Sequence, residues 1–361
     1  MDFEAKVVIG ANYGDEGKGL VSYCLAKEAV EQGKRVLTVL YNGGVQRGHT
    51  AAGKVFHCTG TGSAVGSDTF YHNRFLVDPI ALWLTGDKPI IDPNCRVVLP
   101  CDVMNNRKRE TSAGKNRHGS CGLGIFEASK RNSIKEFSLY AKDLISPFVT
   151  YNKLKRIEKR YGVSDDELYN IHHFMLAVDY VVNHCEIIPF DKIVTRYQTV
   201  IYEGGQGLLL DQSNIGGFPH LTPSSVGSRN IHNDIEQYAN IADIYYVSRT
   251  YMTRHGNGNM ENECYKHDIN ANIVDETNMP NEWQGSLRFG FINPNTLHQR
   301  IRKDLTEYNC KVNPHIVFTQ MNYTDGMLST GYNEYSNIEK PEFIKSIYGS
   351  DKIDEMKQII I

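Results

Sequence analysis

The sequence predicts an α/β fold: one large domain with a central, mostly parallel β-sheet, flanked by helices and carrying long active-site loops. Three observations predict it. First, the apolar run Val7–Ile9 leads into glycines, an amphipathic stretch Gly19–Gln32 closed by Gly33, and a second apolar run, Arg35–Leu40. Strand, glycine turn, helix and strand within about 40 residues is a βαβ opening, which makes parallel strands. Second, strand-like runs recur at Arg96–Leu99, Thr199–Tyr202, Tyr245–Val247 and His315–Thr319. Third, glycine-rich turns accompany them at Asn42–Gly48, Gly119–Gly124, Glu203–Gly207 and Arg254–Gly258. In open α/β sheets ligands bind beyond the carboxyl ends of the strands, so these turns predict an extended crevice.

Between the strands, Lys153–Arg160 and Asp165–His184 read as helices, with Asp165 and Asp166 favourable to the dipole of the second. No repeat, low-complexity segment or Pro/Ser-rich linker interrupts the chain, so residues 1–361 are expected to form a single domain. With 40% hydrophobic and 22% charged residues the chain folds. A net charge of −3 without a long basic run argues against direct nucleic-acid binding, though not against single nucleotides. Eight cysteines without CxxC spacing predict reduced thiols and no metal-ligand cluster. There is no signal-peptide pattern and no apolar stretch of membrane-spanning length, so a soluble, cytoplasmic protein without membrane contact is expected.

The chemistry begins in Val7–Gly19, VVIGANYGDEGKG. A Walker A loop requires G-x-x-x-x-G-K-[S/T]; here Asn12 fills the first glycine slot and Gly19 the hydroxyl slot. Without that hydroxyl, Asp15 is the expected metal ligand or base. The backbone N–H groups of residues 14–19 at a helix start still suit an anion. Glu16 reads mainly as a solvated helix-start carboxylate. In the second loop, Tyr41–Thr50, His49 follows Gly48 at an expected flexible, exposed turn, where its imidazole would stabilise charge on a transferring phosphoryl group.

Together GDEGKG and the later GG-x-x-x-GHT resemble the adenylosuccinate synthetase family. The resemblance continues in order through His118–Gly124 (GTTGRGIG in the family), Glu203–Gly207 (EGAQG), Phe218–Ser225 (YPYVTSS) and Thr253–Gly258 (TRVGAG). It implies that family's P-loop-related fold, and a ligase joining L-aspartate to a purine monophosphate at the expense of a nucleoside triphosphate and Mg²⁺. Residue by residue, it implies that Asp15 removes the purine N1 proton and binds Mg²⁺, with the Gly48 carbonyl as a second metal ligand. Catalysis would rest on Asp15, His49 and Lys18. Gly14, Glu16, Gly17, Gly19, Gly48, Thr50, Gln320, Asn322 and Gly349 would bind the phosphate donor. Asn42, Ser120, Cys121, Gln206 and Thr222 would hold the purine monophosphate. Arg131 would reach the 5′-phosphate of a neighbouring subunit, which implies a homodimer. Arg288 and Ser286 would meet aspartate.

The departures from the family pattern are informative. The family's base-reading T-K-x-D, whose aspartate accepts both N–H donors of guanine, is here Thr319-Gln-Met-Asn322. A neutral amide suits adenine better, so ATP or dATP is expected as donor. The aspartate loop, Gln284–Asn293, is poor in arginine and keeps Arg288. An arginine near the ribose 2′-hydroxyl is replaced by Gly285 or Ser286, which is compatible with a deoxyribose. These departures resemble a bacteriophage branch that acts on dGMP toward 2-aminoadenine (diaminopurine) nucleotides. Some members of that branch lack the catalytic aspartate; this chain keeps Asp15. Ordinary IMP chemistry therefore stays open, as does a non-catalytic nucleotide binder on the same fold.

Overall fold

Val7–Ile9 lie inside strand β1 (Glu4–Gly10), the centre of the main sheet. The computed structural model describes residues 3–114, 117–275, 278, 283, 285–305, 311–351 and 355–359. Along the chain the sheet continues with β2 (Val36–Leu40), β3 (Asp68–Tyr71), β4 (Ile90–Ile91) and β5 (Thr199–Gly207). Then follow β6 (Ile241–Arg249), β7 (Lys311–Thr319), β8 (Ser346–Gly349) and β9 (Lys357–Ile359). Their order across the sheet is β9-β8-β7-β6-β1-β5-β2-β3-β4. Every pairing is parallel except β8 with β9. The opening βαβ unit is present, but β5 lies between β1 and β2. Strand order therefore switches around β1, where α/β sheets bind ligands.

Alternation along β1 sends Val7 and Ile9 to one face and Val8 to the other. On the Val8 face, Val21, Leu25, Ala26 and Ala29 of helix α1 (Lys18–Glu31) complete the core. Each fully buried valine or leucine there contributes roughly 1.5–3 kcal/mol. The opposite face packs on Phe190 and on Leu297 and Ile301 of a helix over Pro294–Leu305. A separate helical core joins β3 and β4 to Leu154, Ile157, Phe174 and Val178.

Several expected elements shift. The helix expected at Asp165 starts at Ile171, because Asn170 accepts the His173 N–H and caps it there. Asp166 instead pairs with Arg107 at 2.8 Å. The Lys153–Arg160 helix extends over Pro147–Tyr161, starting at the Ser146 cap. Of Arg96–Leu99, only Arg96–Val97 is strand, paired with Leu76–Val77 outside the main sheet. The described cysteines are free thiols, and no helix among the described residues is long and apolar enough to cross a membrane. Gln284 and Cys310 lie outside the described residues.

Candidate active site

The loop after β1 is held from three strand ends at once. The carbonyl of Gly14 accepts from Thr253 Oγ1 (3.2 Å), that of Asp15 from Arg249 Nε (2.6 Å), and that of Glu16 from Thr319 Oγ1 (2.6 Å). Arg249 is itself anchored by Asp275 at 2.6 Å. Asn12 adds a fourth tie, donating to Ser248 Oγ and accepting from Arg300 Nη2. With its backbone so gripped, Asp15 adopts a left-handed φ of 59°.

The Asp15 carboxylate meets His255, whose Nδ1 lies 2.8 Å from Oδ2. Burial pushes the Asp15 carboxyl up, but the His255 hydrogen bond and the charges of His255, Arg249 and Lys18 outweigh it. The carboxyl is held below the usual range. Glu16 is not solvated: it is 1% exposed and accepts from the N–H groups of Asn12 and Gly14 and from Lys18 Nζ at 2.8 Å. The loop's own carboxylate thus occupies donors expected to face a phosphate, and Lys18 is paired with it. Gly10 makes room for this pair, since a Cβ there would lie 2.5 Å from Glu16 Oε2.

His49 is likewise not on an exposed turn. It opens a short strand, His49–Ala51, and is 8% exposed. Its Nδ1 lies 2.6 Å from both Arg47 Nη2 and Glu203 Oε1, while Arg47 and Glu203 form a buried ion pair. The second Glu203 oxygen accepts from the Thr61 N–H and hydroxyl. Burial, then the charges of Arg47, Lys18 and His57, push His49 well below its ordinary value, so the imidazole is neutral at pH 7. His49 Nδ1 thus sits between a guanidinium donor and a carboxylate acceptor, which fixes the ring in place. Gly19 packs directly on this histidine.

Asn42 ties the ends of β2 and β5, accepting from Gly205 N–H at 2.7 Å and donating to the Val226 carbonyl. Gln206 lies against Gly43, with a buried Oε1 that has no partner. Ser120 and its loop meet the turn after Arg254, where Asn257 N–H donates to the His118 carbonyl. The Ser120 hydroxyl accepts from Asn106, and the N–H groups of Gly119 and Ser120 go to Glu110. Cys121 follows, its thiol pushed up to about 11 by burial. Thr222 is fixed by its N–H to the Leu210 carbonyl. Between these loops lies a cavity of about 670 Å³, lined by Arg117, His220, Asn257 and Arg288 among others.

The residues expected to meet the donor base lie at or just past the ends of β7 and β8. Phe318 pairs with Gly349 across β7 and β8, and Gly349 packs on Met321. Gln320 turns the chain with a φ of 58°, and Asn322 follows, exposed. Two of the expected ligands are engaged within the chain. Arg131 is fully buried: Nε and Nη2 bond Asp102, while Nη1 and Nη2 reach the carbonyls of Phe137 and Val97. A guanidinium engaged at all three nitrogens does not extend to a second subunit. Arg288 is spent on Glu263 and on the carbonyls of Gly256 and Gly258, so it braces the Arg254–Gly258 turn. Ser286 is exposed. Sequence reasoning missed Arg47, Arg249, His255 and Arg300; for His255 a histidine within a glycine-rich turn was the available signal.

No cluster of three or more His, Cys, Asp or Glu side chains among the described residues forms a metal cage. Mg²⁺ needs less, because it binds through one or two carboxylates together with substrate phosphates and water. Asp15 fits: His255 takes Oδ2, and no hydrogen bond among the described residues is made to Oδ1. Gly48, beside it in the expected metal set, is exposed.

A family model described as Adenylosuccinate synthetase matches residues 7–302. Adenylosuccinate synthetase of Chlorobium chlorochromatii (strain CaD3) is 28% identical over 290 residues, covering 70% of this chain and 63% of the relative. That of Dichelobacter nodosus (strain VCS1703A) is 27% identical over 286 residues, covering 71% and 64%. The matched region thus spans a little under two thirds of these relatives. The fully ligated adenylosuccinate synthetase from Plasmodium falciparum superposes with a TM-score of 0.71 at 15% identity, covering 99% of this chain and 87% of that one. The cyanophage S-2L succinoaminodeoxyadenylate synthetase bound to dGMP, with dATP as energy donor, gives 0.61 at 15%, covering 99% and 96%. At these identities the structural likeness establishes the fold.

Proposed function

The chain belongs to the adenylosuccinate synthetase family, and we propose that it is a C–N-forming ligase condensing L-aspartate with dGMP, driven by ATP or dATP. The product would be the N6-succinyl-2-amino-2′-deoxyadenylate that precedes 2-aminoadenine nucleotides. The reading is carried by the way Asp15, His49, Gln206 and the Thr319–Asn322 turn gather at the C-terminal ends of β1, β2, β5 and β7.

The 6-oxygen of a purine is a poor leaving group, and phosphorylation makes it a good one. Asp15 accepts the N1 proton: the N–H bond breaks, an O–H bond forms on the carboxylate, and electron density moves to O6. O6 attacks the γ-phosphorus of the donor, and the nucleoside diphosphate leaves. His49 donates a ring N–H to the oxygen as charge develops. The aspartate amine then attacks C6: the C6–N bond forms, the C6–O bond breaks, phosphate departs with the former 6-oxygen, and one amine proton is released. Gln206 meets the purine with its unpaired carboxamide oxygen. Asp15 would hold Mg²⁺ together with donor phosphates, and the ion would supply charge neutralisation on the phosphoryl groups.

The donor assignment rests on Asn322, since a neutral amide is a weaker acceptor than a carboxylate for guanine's paired N–H groups. The purine assignment rests on the thin arginine complement of the 285–293 loop and on likeness to a phage enzyme's fold. Ordinary IMP chemistry is the second reading, favoured by the retained Asp15 and by bacterial relatives named adenylosuccinate synthetase. The test is turnover with aspartate and Mg²⁺, offering IMP, GMP and dGMP against ATP, dATP and GTP. Turnover of IMP but not dGMP overturns the first reading; silence with all three points to a binder. GTP outperforming both adenine donors overturns the assignment of Asn322, and Asn322→Asp should raise the kcat/KM ratio of GTP to ATP.

A further inference from the structure

The backbone of the Asp15 loop is fixed from three strands, yet none of those bonds fixes the Asp15 side chain. That falls to His255, the one described side chain hydrogen-bonded to the carboxylate, with Nδ1 2.8 Å from Oδ2. His255 is itself well placed. It follows Arg254, whose guanidinium stacks on Tyr13 (4.6 Å) and bonds the carbonyls of Asn257, Asn259 and His220. It precedes Gly256, which packs on the Gly119 backbone. The ring is 14% exposed, and Nε2 is buried with no partner, so among the described residues Asp15 is the imidazole's sole hydrogen-bond partner. The family motif that this turn resembles, TRVGAG, carries valine at the corresponding place, which offers no donor at all.

We propose that His255 is a positioning residue for Asp15. By donating Nδ1–H to Oδ2 it selects one carboxylate rotamer and leaves the other oxygen unengaged by the described residues. During the reaction the N1–H bond breaks and the proton goes to the Asp15 carboxylate; the His255 proton stays where it is. A base free to rotate would spend part of its time in unproductive orientations, and holding it removes that cost from the barrier. This chain thus does with a histidine–aspartate contact what an aliphatic neighbour cannot do.

The proposal rests on the reading of Asp15 as the base, and is measured on whichever purine monophosphate the unaltered protein turns over. Failure of the dGMP assignment alone therefore leaves it standing, whereas absence of turnover with every purine overturns both. The variants are His255→Val, which removes the donor, and His255→Asn, whose side-chain N–H falls near the place of Nδ1. His255→Val should lower kcat roughly 10–100-fold with little change in the nucleotide KM, and His255→Asn should restore it to within about 5-fold of the unaltered protein. Melting temperatures of both variants, measured alongside, separate this from misfolding. His255→Val at full kcat would overturn the proposal. So would His255→Asn as impaired as His255→Val when both melt like the unaltered protein.

Discussion

The loops after β1 and β2 solve the same problem in opposite ways. Around Asp15 the protein grips the backbone, with Thr253, Arg249 and Thr319 each taking one carbonyl, and leaves the side chain a quarter exposed. Around His49 it buries the side chain itself, between Arg47 and Glu203, away from solvent. The first arrangement keeps a carboxylate charged and reachable. The second keeps an imidazole neutral, because burial and neighbouring cations oppose its protonation. On the proposed reading, one loop presents the base and the other the donor.

The sharpest break is Asp15→Asn, which removes the proposed base while keeping the fold. Turnover should fall by about 10²–10⁴-fold, with nucleotide binding by calorimetry largely kept. Next is Glu203→Gln, which strands Arg47 as a buried, uncompensated charge. Denaturant unfolding should show a loss of about 3–5 kcal/mol.

The two loops also separate by pH. The folded-state pKa of His49 is depressed, so the unfolded chain takes up a proton that the folded one refuses as pH falls below about 6.5. Stability at this site is therefore lost on acidification, at up to about 1.4 kcal/mol per pH unit relative to His49→Gln. Asp15 is also depressed, but from the carboxylate range, so its contribution holds above about 4 and is lost only as pH falls through its folded value. Urea midpoints between pH 7 and 5 should show the unaltered protein losing ground to His49→Gln as pH falls and gaining on Asp15→Asn, because Asp15 raises the His255 value and that pairing strengthens on acidification. The smallest effect expected is Thr319→Val, which deletes one of three backbone ties and should cost about 1–2 kcal/mol by the same unfolding measurement.

What the sequence revealed followed from locality. Strand, loop and helix over residues 4–31 were legible because apolar periodicity and glycines lie side by side, and Asp15 stood out because a phosphate loop lacked its hydroxyl. Glu16 was misread because nothing local says that its carboxylate folds back onto the N–H groups of Asn12 and Gly14. His49 was read as exposed because its burial depends on Glu203, 154 positions away. Arg131 looked like a reaching arginine for the same reason, its partner Asp102 lying on a different helix. Long-range charge pairing leaves no periodic trace, and at His49 and Arg131 it decided whether a polar side chain faces a ligand or the core; at Glu16 the partners are near in sequence, and the shape of the turn brings them together.

The most direct test of the account follows the fate of one oxygen. With dGMP labelled with ¹⁸O at the 6-position, aspartate, Mg²⁺ and dATP, the label should appear in inorganic phosphate, one ¹⁸O per phosphate released. Phosphate free of label while succinylated nucleotide accumulates would contradict activation through O6, and with it the role given to Asp15.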